Sequence, residues 1–193
     1  MNLFDLLFIV LFLAAVVTLL RAAIFAVRGR GRPALATLRR LTICAAAYLA
    51  VVAITSIFLP RTVLRPGEPH CFDDWCVAIE SATRQPAGGG AAYTVTLRMF
   101  SQARGISQRE RNLAIYVTDN RGRRFDPVSR PSDTPLDIRL GPQESVTTTR
   151  VFDLPSDAHQ PGVVVTHEGG FPIGWLIIGY ETWFHKPAIT FLP

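Results

Sequence analysis

Two long apolar runs open the chain, and the pattern after them is different in kind. Leu3–Val27 is apolar except for Asp5 near its start and Arg21 near its end, and residues 41–59 form a charge-free run of 19. Each is about the length of helix needed to cross a hydrocarbon core. The pattern therefore predicts one transmembrane helix over residues 1–27 and a second over residues 41–59. Gly29, Gly31 and Pro33 are expected to break the helix between them, and residues 34–40 to form a short interfacial turn. Residues 28–40 thus read as a loop carrying Arg28, Arg30, Arg32, Arg39 and Arg40. Ala45, Ala46, Ala47 and Ala50 give the second helix small residues that permit close packing against another helix.

Past Pro60 the helical pattern is gone. Residues 60–72 read as a short connector, and from residue 73 onward the period is two. Residues 76–83 are a first strand, and residues 85–91, with Pro86 and Gly88 to Gly90, are a turn. Tyr93, Val95, Leu97 and Met99 alternate with Thr94, Thr96 and Arg98, an amphipathic strand over residues 93–100. Leu113, Ile115 and Val117 share one face of the next. Asp119-Asn120-Arg121-Gly122 turns into a short strand at 123–125. Leu136, Ile138 and Leu140 alternate with Asp137 and Arg139 as a further strand, and Gly141-Pro142 leads into a β-branched run at 145–154. Residues 163–166 and 175–179 add strands, with 188–192 a last edge strand. Eight or nine short strands separated by Gly/Pro turns predict a β-sandwich over residues 73–193.

Charge distribution assigns sides to this plan. The formal charge is +5. Residues 1–60 hold six arginines against one acid, while residues 61–193 hold 14 basic and 14 acidic residues. The whole excess sits in and beside the loop, as the positive-inside rule would place it in the cytoplasm. Residues 60–193 are then extracytoplasmic, in the periplasm or outside the cell, and the chain is a multi-pass protein of a bacterial inner membrane. Nucleic-acid binding is disfavoured, because phosphate contacts need a concentrated basic surface. A cleaved signal peptide is disfavoured too: an acid, Asp5, stands where a basic n-region belongs, and no small-residue cleavage site follows. Arg28, Arg30, Arg32, Arg39 and Arg40 serve as topology determinants in contact with lipid headgroups of the bilayer.

The cysteines fit that compartment. Cys44 lies inside the second apolar run, a small hydrophobe. Cys71 and Cys76 flank Phe72-Asp73-Asp74-Trp75, and a disulfide-closed turn is expected, with free thiols or a metal or redox site as alternatives. His70 beside these thiols makes zinc conceivable at poor spacing. His159, His167 and His185 accompany no recognisable nucleophile, and Gly88-Gly89-Gly90 lacks the Lys-Ser/Thr of a phosphate loop. No enzyme activity, cofactor or metal is expected.

The stretch from Tyr93 to Phe100, the run Leu113-Ala114-Ile115-Tyr116-Val117-Thr118-Asp119, Gly122-Arg123-Arg124-Phe125, and Leu140-Gly141-Pro142-Gln143-Glu144-Ser145 leading to Val151-Phe152-Asp153-Leu154-Pro155 resemble the telokin-like, immunoglobulin-like domains of bacterial membrane-tethered and secreted proteins of unknown function. The resemblance covers about residues 73–170. In that pattern a "D-x-x-G-R-x-F" segment precedes an "L-x-P-G-E-S/T" turn, and here Gln143 replaces the glycine. The resemblance implies an immunoglobulin-like sandwich and no catalytic residues.

Near the C-terminus Phe171, Trp175, Tyr180, Trp183 and Phe184 crowd within 14 residues. They read as core and membrane-interface aromatics, or as a docking surface for another membrane protein, with Arg104, Arg109, Arg111, Arg121, Arg123 and Arg124 as its polar rim. The function expected is a non-enzymatic accessory or structural subunit of a membrane complex, its sandwich presented at the extracytoplasmic face. The alternative is an autonomous binding or sensor module for a small ligand or cell-envelope component, which requires an aromatic-lined pocket.

Overall fold

A computed structural model of the chain describes residues 3–131, 133–169, 176–178 and 186–193. These form two compact units. The first contains helices α1 (Leu3–Val27) and α2 (Gly31–Phe58), both long and apolar enough to cross a membrane by length and composition.

The helical boundary differs from the sequence expectation. Only residues 28–30 lie between the helices, so Arg32, Arg39 and Arg40 belong to α2 rather than to a loop. Gly29 alone stops α1. It takes φ +71°, and the Arg30 N–H reaches the Phe25 carbonyl (2.9 Å) while the Gly29 N–H reaches that of Ala26 (3.0 Å). That is the left-handed glycine cap of a helix C-terminus. Pro33 does not break α2, because it stands in the first turn, where backbone N–H groups have no helical partner to lose. The helices bury Ala22, Ala34, Val52 and Ser56. Ala45, Ala46, Ala47 and Ala50 are instead exposed.

The second unit is a two-sheet β-sandwich. One sheet has the order β2 (Pro69–Phe72), β3 (Trp75–Ala87), β4 (Gly90–Ser101), β7 (Ser145–Pro155), with every pair antiparallel. The other runs β1 (Val63–Leu64), β9 (Ile189–Phe191), β8 (Gly162–His167), β5 (Leu113–Thr118), β6 (Arg124–Phe125), with β1 parallel to β9. Residues 63–72, expected as connector, thus already supply two strands. β9, expected at an edge, lies between β1 and β8. β4 alternates without a break, turning Ala91, Tyr93, Val95, Leu97 and Met99 inward. They meet Trp75, Val77 and Ile79 of β3, Phe152 and Leu154 of β7, and Ile115, Val117, Val163 and Val165 of the facing sheet in one core.

Three local expectations are corrected. The 85–91 turn is only Gly88-Gly89, since Ala87 pairs with Gly90. Gly89 takes φ +94°, and Pro86 sits where β3 has outrun β2, whose pairing stops opposite Ala78. A missing N–H is tolerated on such an unpaired edge. Residues 136–140 are not a strand. A turn precedes Ile138, and only Leu140 pairs, exchanging both backbone bonds with Gln108 at 2.8 Å. Their alternation instead feeds the core, with Leu140 fully buried and Leu136 and Ile138 packed against it. Residues 176–178, expected within a sandwich strand, belong to the helical unit, where the Tyr48 hydroxyl donates to the Leu176 carbonyl at 2.6 Å.

The backbone of the Gly141–Glu144 turn favours glycine at position 143. Gln143 takes φ +60°, and the Glu144 N–H reaches the Gly141 carbonyl (3.1 Å), a turn needing a left-handed third residue. Gln143 occupies it with its amide donating to the carbonyls of Gln102 and Ala103, each at 3.3 Å.

Candidate functional site

A grouping of histidine and aromatic side chains lies beside the β2–β3 hairpin. Asp73, at φ 53°, and Asp74 turn the chain back on itself, and Cys71 pairs opposite Cys76 in register and is bonded to it as a disulfide. Closing so short a loop stabilises by roughly 2 kcal/mol in the chain-entropy account. The bond also removes both thiolates that a zinc site at His70 would need. Among the described residues no group of three His, Cys, Asp or Glu is placed to hold a metal.

β2 projects His70 and Phe72 to the same side, two residues apart. The Phe72 ring stands edge-on to His70 (centroids 4.6 Å) and to His167 at the end of β8 (4.5 Å), and lies 6.5 Å from the buried Trp75 ring. His167 Nε2 meets Glu110 Oε2 at 3.0 Å. Two histidines 97 positions apart thus flank one phenylalanine, an arrangement that sequence spacing does not reveal.

His70 Nε2 is buried without a hydrogen-bond partner. Burial, and then the neighbouring His167, lower the pKa of His70 below that of a free histidine. A folded-state pKa below the unfolded one means that the unfolded chain binds more protons as the pH falls, so the contribution of His70 is present above about pH 6.5 and is lost below it. Thermal unfolding of the full chain is therefore expected at a lower temperature at pH 5 than at pH 7.5. His70→Gln should flatten that dependence, and an unchanged pH profile in the variant would assign it elsewhere.

Beside His70, between the sheets, lies a cavity of about 10 Å³ lined by Leu64, Val77, Ile79, Val163 and Val165, with Glu68 and Thr190 as polar neighbours. That is room for about one water molecule and for no organic ligand.

The arginines expected as an interaction rim are mostly engaged within the chain. Arg123 pairs with Asp119 (2.8 Å) and Asp157 (3.0 Å), Arg121 with Asp157 (2.9 Å), Arg124 with Asp126 (2.7 Å) and Glu168, and Arg109 with Asp137. Arg124 also lies 4.2 Å over the Tyr116 ring. Burial of the Asp119 carboxylate raises its pKa, but bonds from the Arg123 guanidinium and from the N–H groups of Arg123 and Arg121 outweigh this and hold it below the usual aspartate value. The network braces the β5–β6 turn against the loop after β7; exposed pairs of this kind each contribute little. Arg104 and Arg111 are exposed.

The aromatic candidates Phe171, Trp175, Tyr180, Trp183 and Phe184, and His185, lie outside the described residues. Sequence reasoning missed Arg150, which is buried on the inward face of β7. Its position in the alternation with Phe152 and Leu154 was the available signal.

No protein-family model matches the chain, and no curated protein matches it. Among solved structures, the secreted protein MPT63 of Mycobacterium tuberculosis is similar at 12% identity and a TM-score of 0.46, over 68% of this chain and 98% of that one. An uncharacterized β-sandwich protein of Clostridium difficile is similar at 12% identity and a TM-score of 0.44, over 69% and 95%. The yjhA protein of Bacillus subtilis is similar at 11% and 0.44, over 67% and 98%.

Proposed function

We propose that this chain is an inner-membrane protein of a bacterium, anchored by α1 and α2. In this reading its immunoglobulin-like sandwich stands at the extracytoplasmic face, and the chain works as a non-catalytic accessory subunit of a membrane complex. The observation that carries the reading is the face of α2. Ala46 and Ala50, one turn apart, are exposed beside Ala47, on the side of α2 turned away from its buried residues Ala34, Val52 and Ser56. In lipid, small residues let two helices approach closely, and a face of this kind left uncovered by its own hairpin suits a helix of another integral membrane protein. The arginines at the α1–α2 junction support a cytoplasmic junction, and the Cys71–Cys76 disulfide suits an oxidising compartment. A sensor for a small ligand gains no support from the inter-sheet cavity, which is too small to hold one.

The test is purification of the full chain in mild detergent. The reading expects a partner in fixed stoichiometry that is retained by the native chain and lost from Ala46→Ile/Ala50→Ile. A monodisperse monomer with no stable partner would overturn it.

A further inference from the structure

Near the α1–α2 junction the two helices leave a groove of about 410 Å³ between them, lined by Thr18, Arg21, Ile24 and Phe25 of α1 and by Thr37 and Arg40 of α2. We infer that this groove binds the headgroup phosphate of an anionic phospholipid, with Arg21 and Arg40 as its two cationic donors. The inference rests on the membrane reading above and goes beyond it: a general basic surface near the bilayer needs no groove and does not single out these two arginines.

Depth along the helices is the first argument. Eighteen residues of α1 precede Arg21, and eighteen residues of α2 follow Arg40. At the helical rise each stretch is about 27 Å, close to one hydrocarbon thickness. None of those eighteen carries a charge in α2, and in α1 the one that does, Asp5, is near the opposite end. Arg21 and Arg40 are thus the first charged groups met on leaving the apolar layer on the junction side, at the level of lipid phosphates. Arg28, Arg30 and Arg32 lie farther out.

Convergence is the second. Counting back from the junction, Arg21 is level with Thr37, and Arg40 with Thr18, so the two guanidiniums enter one groove from opposite walls, about one helical turn apart in depth. A guanidinium offers paired N–H donors to a phosphate, and two of them suit the several oxygens of a phosphodiester.

The third argument is charge complementarity. The groove holds two cations and no carboxylate, and no acid among the described residues pairs with either arginine. The Thr18 and Thr37 hydroxyls already donate within their helices, to the carbonyls of Ala14 (2.7 Å) and Pro33 (2.8 Å). The guanidiniums are left as the donors aimed at a ligand, with Ile24 and Phe25 as apolar walls suited to the lipid rather than to a free ion.

The experiment uses the full chain. Membranes are first washed with alkaline carbonate: retention keeps the membrane reading, and release overturns it and this inference together. The retained chain, in a non-ionic detergent, is then titrated with phosphatidylglycerol, phosphatidylcholine and glycerol phosphate, with bound lipid read by native mass spectrometry. Phosphatidylglycerol should bind about tenfold more tightly than phosphatidylcholine. That preference should vanish in Arg21→Gln/Arg40→Gln, survive in part in Arg21→Lys/Arg40→Lys, and persist in Arg28→Gln/Arg30→Gln. No preference in the native chain, or an equal loss in both glutamine pairs, would overturn the groove while leaving the anchor standing. Glycerol phosphate binding as well as the lipid would make it a free-phosphate site and overturn the lipid assignment.

Discussion

Gly90→Ala is expected to lower the thermal midpoint of the full chain by roughly 5–10 °C, the equivalent of about 2–3 kcal/mol. Gly90 opens β4 and pairs with Pro155 of β7. A Cβ at this position would lie 2.0 Å from the Leu154 carbonyl oxygen and 3.0 Å from the Leu154 carbonyl carbon and the Pro155 Cα. All three are backbone atoms of the neighbouring strand, so no side-chain rotation relieves the clash; the β4–β7 ladder itself must move. Gly162 provides the contrast. Its Cβ would fall 2.4 Å from Ile189 Cδ1 and 2.5 Å from Ile189 Cγ1, atoms of a side chain rather than of a backbone ladder. Gly162→Ala should therefore cost less than Gly90→Ala, because the buried Ile189 side chain can shift where a backbone ladder cannot. Differential scanning fluorimetry of both variants checks the pair, and a Gly90→Ala midpoint within 1 °C of the native value would refute the close strand approach.

Arg150→Ala is expected to destabilise by about 3 kcal/mol, as removal of one partner from a buried charged network does. The Arg150 side chain is 7% exposed. Nη1 donates to Thr148 Oγ1 and to the Thr149 carbonyl, each at 2.9 Å, and Nη2 donates to the Thr134 carbonyl. Asp133 Oδ1 stands 3.9 Å away. Burial lowers the arginine's pKa, and only Asp133 opposes that. The side chain thus joins the loop after β6 to the inward face of β7 chiefly through carbonyl bonds. A double-mutant cycle with Asp133→Ala separates the two contributions. At that distance the ion pair should couple by less than about 1 kcal/mol, leaving most of the loss to the carbonyls stripped of their donor. Chemical denaturation gives both values, and a loss under about 0.5 kcal/mol for Arg150→Ala would mean that the loop is held by other contacts.

The candidate site is less legible than the framework in a way that these residues explain. The Cys71–Cys76 disulfide was readable because both cysteines belong to one hairpin, where five positions and two turn-favouring aspartates bring them opposite each other. The pairing of His70 with His167 through Phe72 was not, because it depends on β2 and β8 coming from different sheets. Arg150 was missed for the opposite reason: its charge argues for solvent, while the alternation of β7 places it inside, where Thr148 and Thr149 of its own strand and Thr134 of a distant loop accept its hydrogen bonds.

Taken alone, the sequence determined what depends on neighbours along the chain. The two apolar helices, the unbroken alternation of β4, the shared face of Leu113, Ile115 and Val117, and the turn at Gly122 all follow from backbone periodicity and from residues that restrict or free φ. The tertiary structure decided what depends on partners distant in sequence. It made β9 an interior strand and turned residues 136–140 from a strand into a core plug. It joined residues 176–178 to the helical unit and brought Arg21 and Arg40 into one groove. Periodicity says which way a side chain points from its own element; what it meets there is set by register and packing between elements, and no local pattern encodes that.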